Sequence, residues 1–213
     1  MHKEKLIQTA FILAVVTIVY NIAEGVVSVF FGINDDTLAL LGFGVDSFVE
    51  VLSGVGILHM IVRMRRAGIH DVSSNDKFER QALKITGTAF YILAAGLIAG
   101  SVLNGIAGTK PETTIAGIVI SALSILTMYI LMTWKLRVGK KLHSDAIIMD
   151  ANCTKTCFYL SFILLASSIL YELFAIGWFD IAGSLGIAWF AFSEGRESFE
   201  KARSESLSCH CEH

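Results

Sequence analysis

The sequence predicts an all-α membrane protein of six transmembrane helices, and three observations carry that prediction. Hydrophobic residues make up 54% of the 213 and there is a single proline, a balance foreign to soluble domains. The apolar residues gather into six runs of roughly 20 residues, about the length a helix needs to cross a bilayer. The basic residues fall in alternate connections between those runs, the sidedness of a chain threaded through a membrane in one orientation.

The first run, 6–31, is too long for a signal segment and lacks a small-residue cleavage pattern, so it is expected to stay as a helix. The second, 37–62, contains Asp46 and Glu50. The third, 82–106, carries Gly96 and Gly100 at helical spacing, and the sixth, 181–198, carries Ala182 and Gly186. Small residues so placed are expected to let helices approach closely. The fourth run is 113–134, and the fifth, 146–174, contains Cys153 and Cys157.

Of the Lys and Arg residues, all but Lys110 and Lys155 lie near the N-terminus, in or beside the second and fourth connections, or at and after the end of the sixth run. Both termini are therefore expected to be cytoplasmic, with the turns near Asn34, Gly108 and Gly177 outside. Residues 1–200 read as one membrane domain and 201–213 as a short cytoplasmic Cys/His tail. No connection is long enough to hold a soluble domain or a nucleic-acid-binding module, so function is expected within the bundle or the tail.

Two spacings inside apolar runs stand out: Asp46-Ser47-Phe48-Val49-Glu50 and Cys153-Thr154-Lys155-Thr156-Cys157. A separation of four places both end residues on one helix face. Carboxylates at membrane depth are costly unless they meet a cation, a proton or water, and carboxylates facing thiols suit a divalent metal. A helix rise of about 1.5 Å per residue puts Asp46 about 14 Å and Glu50 about 20 Å below the outer surface. It puts Cys153 and Cys157 about 10 and 16 Å above the inner one. On that estimate Asp46 is level with Cys157 and Glu50 with Cys153.

Competing readings exist for each residue. A lone buried cysteine is usually an apolar filler, and a carboxylate can be paired structurally with a local lysine such as Lys155. Lys155, however, is two residues from each cysteine and is expected to point away from their face. Asp150 is close to the cysteine face and reads as a supporting group or part of an inner path. Glu24 reads as lining an outer vestibule or, together with Asn21, as making helix-packing hydrogen bonds. Glu172, Asp180 and Trp178 read as boundary residues, the first two solvated.

At this point the chain resembles the cation diffusion facilitator family over nearly its whole length. Leu40-Leu41-Gly42-Phe43-Gly44-Val45-Asp46-Ser47-Phe48-Val49-Glu50-Val51-Leu52-Ser53 is similar to the family's second-helix pattern, with Asp46 and Glu50 on its metal-ligand positions and Phe43 replacing an acidic residue common there. Met149-Asp150-Ala151-Asn152-Cys153-Thr154-Lys155-Thr156-Cys157 resembles the fifth-helix run, placing Cys153 and Cys157 where His and Asp are usual. Lys77-Phe78-Glu79 resembles the family's basic-x-acidic entry to the third helix, and the stretch from Asp180-Ile181-Ala182 to Glu194-Gly195 resembles its sixth helix.

The resemblance implies a cation-efflux-type bundle in which the first, second, fourth and fifth helices surround a transport site, with the third and sixth alongside. It implies metal-for-proton antiport out of the cytoplasm and no bound cofactor, with metal ion, proton and lipid bilayer as partners. The thiols favour zinc, or else cadmium, iron or cobalt, over manganese or magnesium. The family's cytoplasmic metal-binding domain has no counterpart in these residues, so a homodimer is expected to use the membrane region.

Two other classes stay open: a membrane metal sensor or modulator that does not transport, and a membrane thiol-redox protein using Cys153 and Cys157. In the tail, Cys209, His210, Cys211, Glu212 and His213 have ligand chemistry but are too closely spaced to close around one zinc. They are expected to collect metal loosely or to have no role.

Overall fold

The computed structural model describes residues 2–67, 77–142 and 145–203. Among them the chain forms six helices and no strand: α1 (His2–Asn34), α2 (Leu38–Ala67), α3 (Lys77–Ala107), α4 (Ile115–Leu142), α5 (Asp145–Phe174) and α6 (Trp178–Arg203). Each apolar run sits almost entirely inside one helix, and most of the helices outrun their runs. Polar residues end hydrophobicity but not the backbone ladder; with no proline in any helix, nothing stops it. Lys135, Arg137, Lys140 and Lys141, expected in a connection, are therefore in the last turns of α4, and Lys135 is buried at 1% exposure.

Breaks occur where the backbone turns left-handed. Gly108 follows α3 with φ +68°, the left-handed cap for which glycine has no side-chain penalty. Asp36 and Ala175 adopt φ of 52° and 54° in the turns after α1 and α5. These three turns meet. Glu112 N donates to Asp35 O at 2.9 Å, Thr37 Oγ1 donates to Thr113 O at 3.2 Å, and Glu172 accepts from Thr114 N at 2.5 Å. The other end of the bundle holds the two ends of the described chain and nearly all the basic residues.

Asp180 departs from its expected solvated state. It is 2% exposed, and its carboxylate accepts from Leu38 N at 2.9 Å and Ala39 N at 3.1 Å. The first turn of a helix has unpaired N–H groups, and Asp180, from α6, satisfies two of them on α2. Glu172 and Trp178 are exposed as expected.

The helices pack as pairs: α1 with α2, α4 with α5, and α3 with α6. Contacts of α1 with α4 and of α2 with α5 close a four-helix ring, and the α3–α6 pair lies against its α2 and α5 side. A core of Leu40, Phe43, Phe90, Leu97, Leu164 and Ile187 fills the contact between ring and flanking pair. Of the glycines expected at contacts, Gly186 meets Ile163 of α5, where a Cβ would stand 3.1 Å from its Cγ2, but the closest backbone approaches are set by others. A Cβ on Gly44 would stand 2.8 Å from Val29 N across the α1–α2 contact, and one on Gly87 would stand 3.1 Å from Gly195 O across α3–α6. Gly96 faces open space and Gly100 only the Leu38 side chain, because helical spacing does not say which face meets a neighbour.

Large apolar side chains cover the outside, among them Val19, Ile92, Leu103, Leu126, Leu173 and Trp189. Among the described residues five helices, α1 to α5, are long and apolar enough to cross a membrane. The sixth, α6, falls short of the expected sixth span in composition, with Asp180, Ser184, Glu194 and Glu197 in its length. It nevertheless runs from the three-turn end to the opposite one, where Arg80 Nη1 donates to Ala202 O at 3.1 Å.

Candidate functional site

Polar groups that the apolar helices cannot expose to lipid converge in the middle of the ring. On α2, Asp46 and Glu50 are one turn apart on the face turned to α1 and α5. Asp46 is 2% exposed, and its Oδ1 has no hydrogen-bond partner among the described residues. The carboxyls of Glu50, Glu194 and Glu24 all act on it electrostatically. An acidic group this deep with an unused oxygen is positioned to take a proton or a cation.

Glu50 is the meeting point of three helices. Its Oε2 accepts from Asn21 Nδ2 of α1 at 2.9 Å and from the thiol of Cys157 of α5. Cys157 is 4% exposed and unoxidised, so α2 and α5 are joined by a thiol–carboxyl contact inside the bundle. Here the depth estimate is corrected: Cys157 meets Glu50, not Asp46. The estimate counted from the ends of the apolar runs. Helices α2 and α5 have 30 residues each, about 45 Å, so those ends do not mark a common plane.

Cys153 and Asp150 lie on the first turns of α5, and their side chains fall outside the described residues, as do Cys209, His210, Cys211, Glu212 and His213. Among the described residues no three His, Cys, Asp or Glu side chains are already gathered to hold one metal ion. Lys155 is exposed, with its ammonium 5.7 Å from the Tyr159 ring centroid, away from Cys157 as its spacing requires.

Glu24 and Asn21 belong to the same layer. Ser47 Oγ donates to Glu24 Oε2 at 3.1 Å, and Glu24 also lies against Tyr20 and Ser124. Both Glu24 Oε1 and Asn21 Oδ1 are buried without a hydrogen-bond partner among the described residues. Both residues thus make hydrogen bonds between α1 and α2, as the packing alternative expects, and each keeps one further oxygen in the layer.

Two members of the layer were not singled out in the sequence. Lys135 Nζ donates to Thr154 Oγ1 at 3.0 Å and bears electrostatically on Glu50, so a cation offsets part of the acidic charge. Glu194 of α6 accepts from Thr156 Oγ1 at 2.9 Å and bears on both Asp46 and Glu50. Its signal was present: a carboxylate inside the sixth apolar run is as unusual as one in the second. A cavity of about 50 Å³ is lined by Asn21, Glu50, Thr154 and Glu194 and continues to Ser198 and Lys201.

Chemically, the described residues of the layer offer carboxylate and amide oxygens and one thiol, a mixed hard and soft donor set of the kind that suits late first-row divalent metals or cadmium. Comparison with protein-family models and with curated proteins finds no match.

Proposed function

We propose that the chain is a divalent transition-metal transporter of the cation-efflux type that exchanges metal, zinc first, for protons. The reading rests on one observation above the others: the Glu50 carboxyl and the Cys157 thiol in contact inside a membrane bundle, one turn from a buried Asp46 with an unused oxygen. Supporting it is the packing of α1, α2, α4 and α5 as a ring around this layer, with α3 and α6 alongside. The resemblance of the second and fifth helices to the cation diffusion facilitator pattern points the same way. Asp46, Glu50, Cys153 and Cys157 are the assigned metal ligands.

The coupling follows from the contact itself. Without metal, the Cys157 proton sits between sulfur and Glu50. A metal ion taking both groups as ligands needs thiolate and carboxylate, so binding releases protons. Four ionised ligands around a divalent ion would leave excess negative charge in a low-dielectric layer, and Lys135 offsets part of it. Transport then requires the layer to open to each side in turn. The basic end, with both termini, is assigned to the cytoplasm on the positive-inside rule, and export is the direction that follows from the family resemblance.

The test is zinc flux into proteoliposomes with and without an imposed pH gradient. Flux that rises with the gradient and disappears in Asp46→Asn supports antiport at this layer; zinc binding without flux supports the modulator reading. The thiol-redox reading has less support, since Cys157 is buried and bound to a carboxyl instead of being open to thiol exchange.

A further inference from the structure

The bundle contains a polar space that the metal layer alone does not explain. The cavity of about 50 Å³ beside Glu50 has room for a few waters. Its lining starts at Asn21 and Glu50 and runs to Ser198 and Lys201 on the last turns of α6, toward the end that holds the termini. Its lining comes from α1, α2 and α5 of the ring and from α3 and α6 of the flanking pair, so it lies where ring and pair meet.

Two features of the cavity are shaped for a cation. Asn21 lines the cavity and is 1% exposed; its Nδ2 is held by Glu50, which leaves Oδ1, an acceptor, with no hydrogen-bond partner among the described residues. A buried carbonyl oxygen left so is normally completed by water or an ion. Glu194 also lines it, with one oxygen held by Thr156 Oγ1 at 2.9 Å. Lys201, in the same lining, is ion-paired with Glu197 at 2.6 Å and also acts electrostatically on Glu194, a role that an arriving cation would take over.

We propose that this cavity is a loading chamber in which Glu194 and the amide oxygen of Asn21 receive a partly dehydrated divalent cation from the end that holds the ends of the described chain and pass it to Glu50. The inference rests on the transport reading for its last step. It adds a third carboxylate and a route along α6 to that reading. Glu194 neutralises the ion while it still carries water, which lowers the cost of taking a divalent charge into the bundle. Asn21, bonded to Glu50, joins chamber and layer. Thr156 orients the receiving carboxylate.

Zinc flux in oriented proteoliposomes tests the route from each face. Glu194→Gln is expected to raise the half-saturating Zn²⁺ at the termini face about tenfold, the scale of losing one supporting group at a metal site, and to leave the opposite face unchanged. Glu194→Asp should recover part of the loss. Equal half-saturation in Glu194→Gln and wild type at the termini face would overturn the chamber while leaving transport intact.

A second measurement needs neither flux nor Glu194→Gln. Ser198 follows Glu194 by four residues and shares its face, so Ser198→Cys puts a thiol in the chamber. Titration with Cd²⁺ should then add a cadmium–thiolate charge-transfer band over wild type, complete at one further equivalent of metal. No added band would mean that cations do not enter the chamber. Absence of wild-type flux would refute the transport reading, and the Cd²⁺ titration would still decide the chamber.

Discussion

Glu50 is the residue on which three helices depend, since Asn21 and Cys157 both donate to its Oε2. Glu50→Gln keeps the size but loses the charge, and zinc flux is expected to fall to background with the bundle still folded. Cys157→Ser replaces a soft donor with a hard one. Its expected effect is a loss of Cd²⁺ and Zn²⁺ affinity relative to Mn²⁺ of about tenfold or more, read by competition binding. Asp46, Glu50 and Cys157 were legible as an unusual set from spacing and polarity alone. Which carboxyl meets the thiol was not, because that depends on how far each helix runs past its apolar segment. Glu194 was legible by the same rule that singled out Asp46, but its partner Thr156 and its cavity exist only once α6 is packed on α5.

At the scale of the element, the helices were legible almost whole, because apolar runs of this length have one structural solution in a membrane. Their faces were less so. Gly44, unremarked in the sequence, is where α1 and α2 touch, while Gly96, expected at a contact, meets nothing within 4 Å. Gly44→Ala should therefore lower stability by about 1–3 kcal/mol through overpacking. Gly96→Ala should be neutral or raise it by up to about 1 kcal/mol through helix propensity. Thermal unfolding midpoints in one detergent compare the two. The same assay reads the Asp180 cap. Asp180→Ala leaves Leu38 N and Ala39 N without their acceptor, with an expected cost of about 1–3 kcal/mol, whereas surface Glu200→Ala should change little.

For the molecule as a whole, the gathering of the three turns at one end agrees with the sidedness of the basic residues, so global arrangement was the easiest feature to anticipate. The sixth helix is the exception: it traverses the bundle yet is not apolar enough to count as a span by itself. Packing on α3 and α5 supplies what composition lacks, since Ser101 Oγ and Ser184 Oγ pair at 2.8 Å and Thr156 holds Glu194. Six crossings, α6 included, would put both termini on one side, so impermeant labels attached at each terminus should react from the same face of sealed vesicles, and labels reacting from opposite faces would mean that α6 does not cross. The central claim is that metal crosses the bundle through the Asp46–Glu50–Cys157 layer in exchange for protons. Zinc entry into proteoliposomes, recorded together with internal pH, tests it most directly. Wild type should show zinc uptake accompanied by proton exit, and Asp46→Asn neither signal. Zinc uptake in Asp46→Asn at the wild-type rate, or uptake without proton movement, would contradict it.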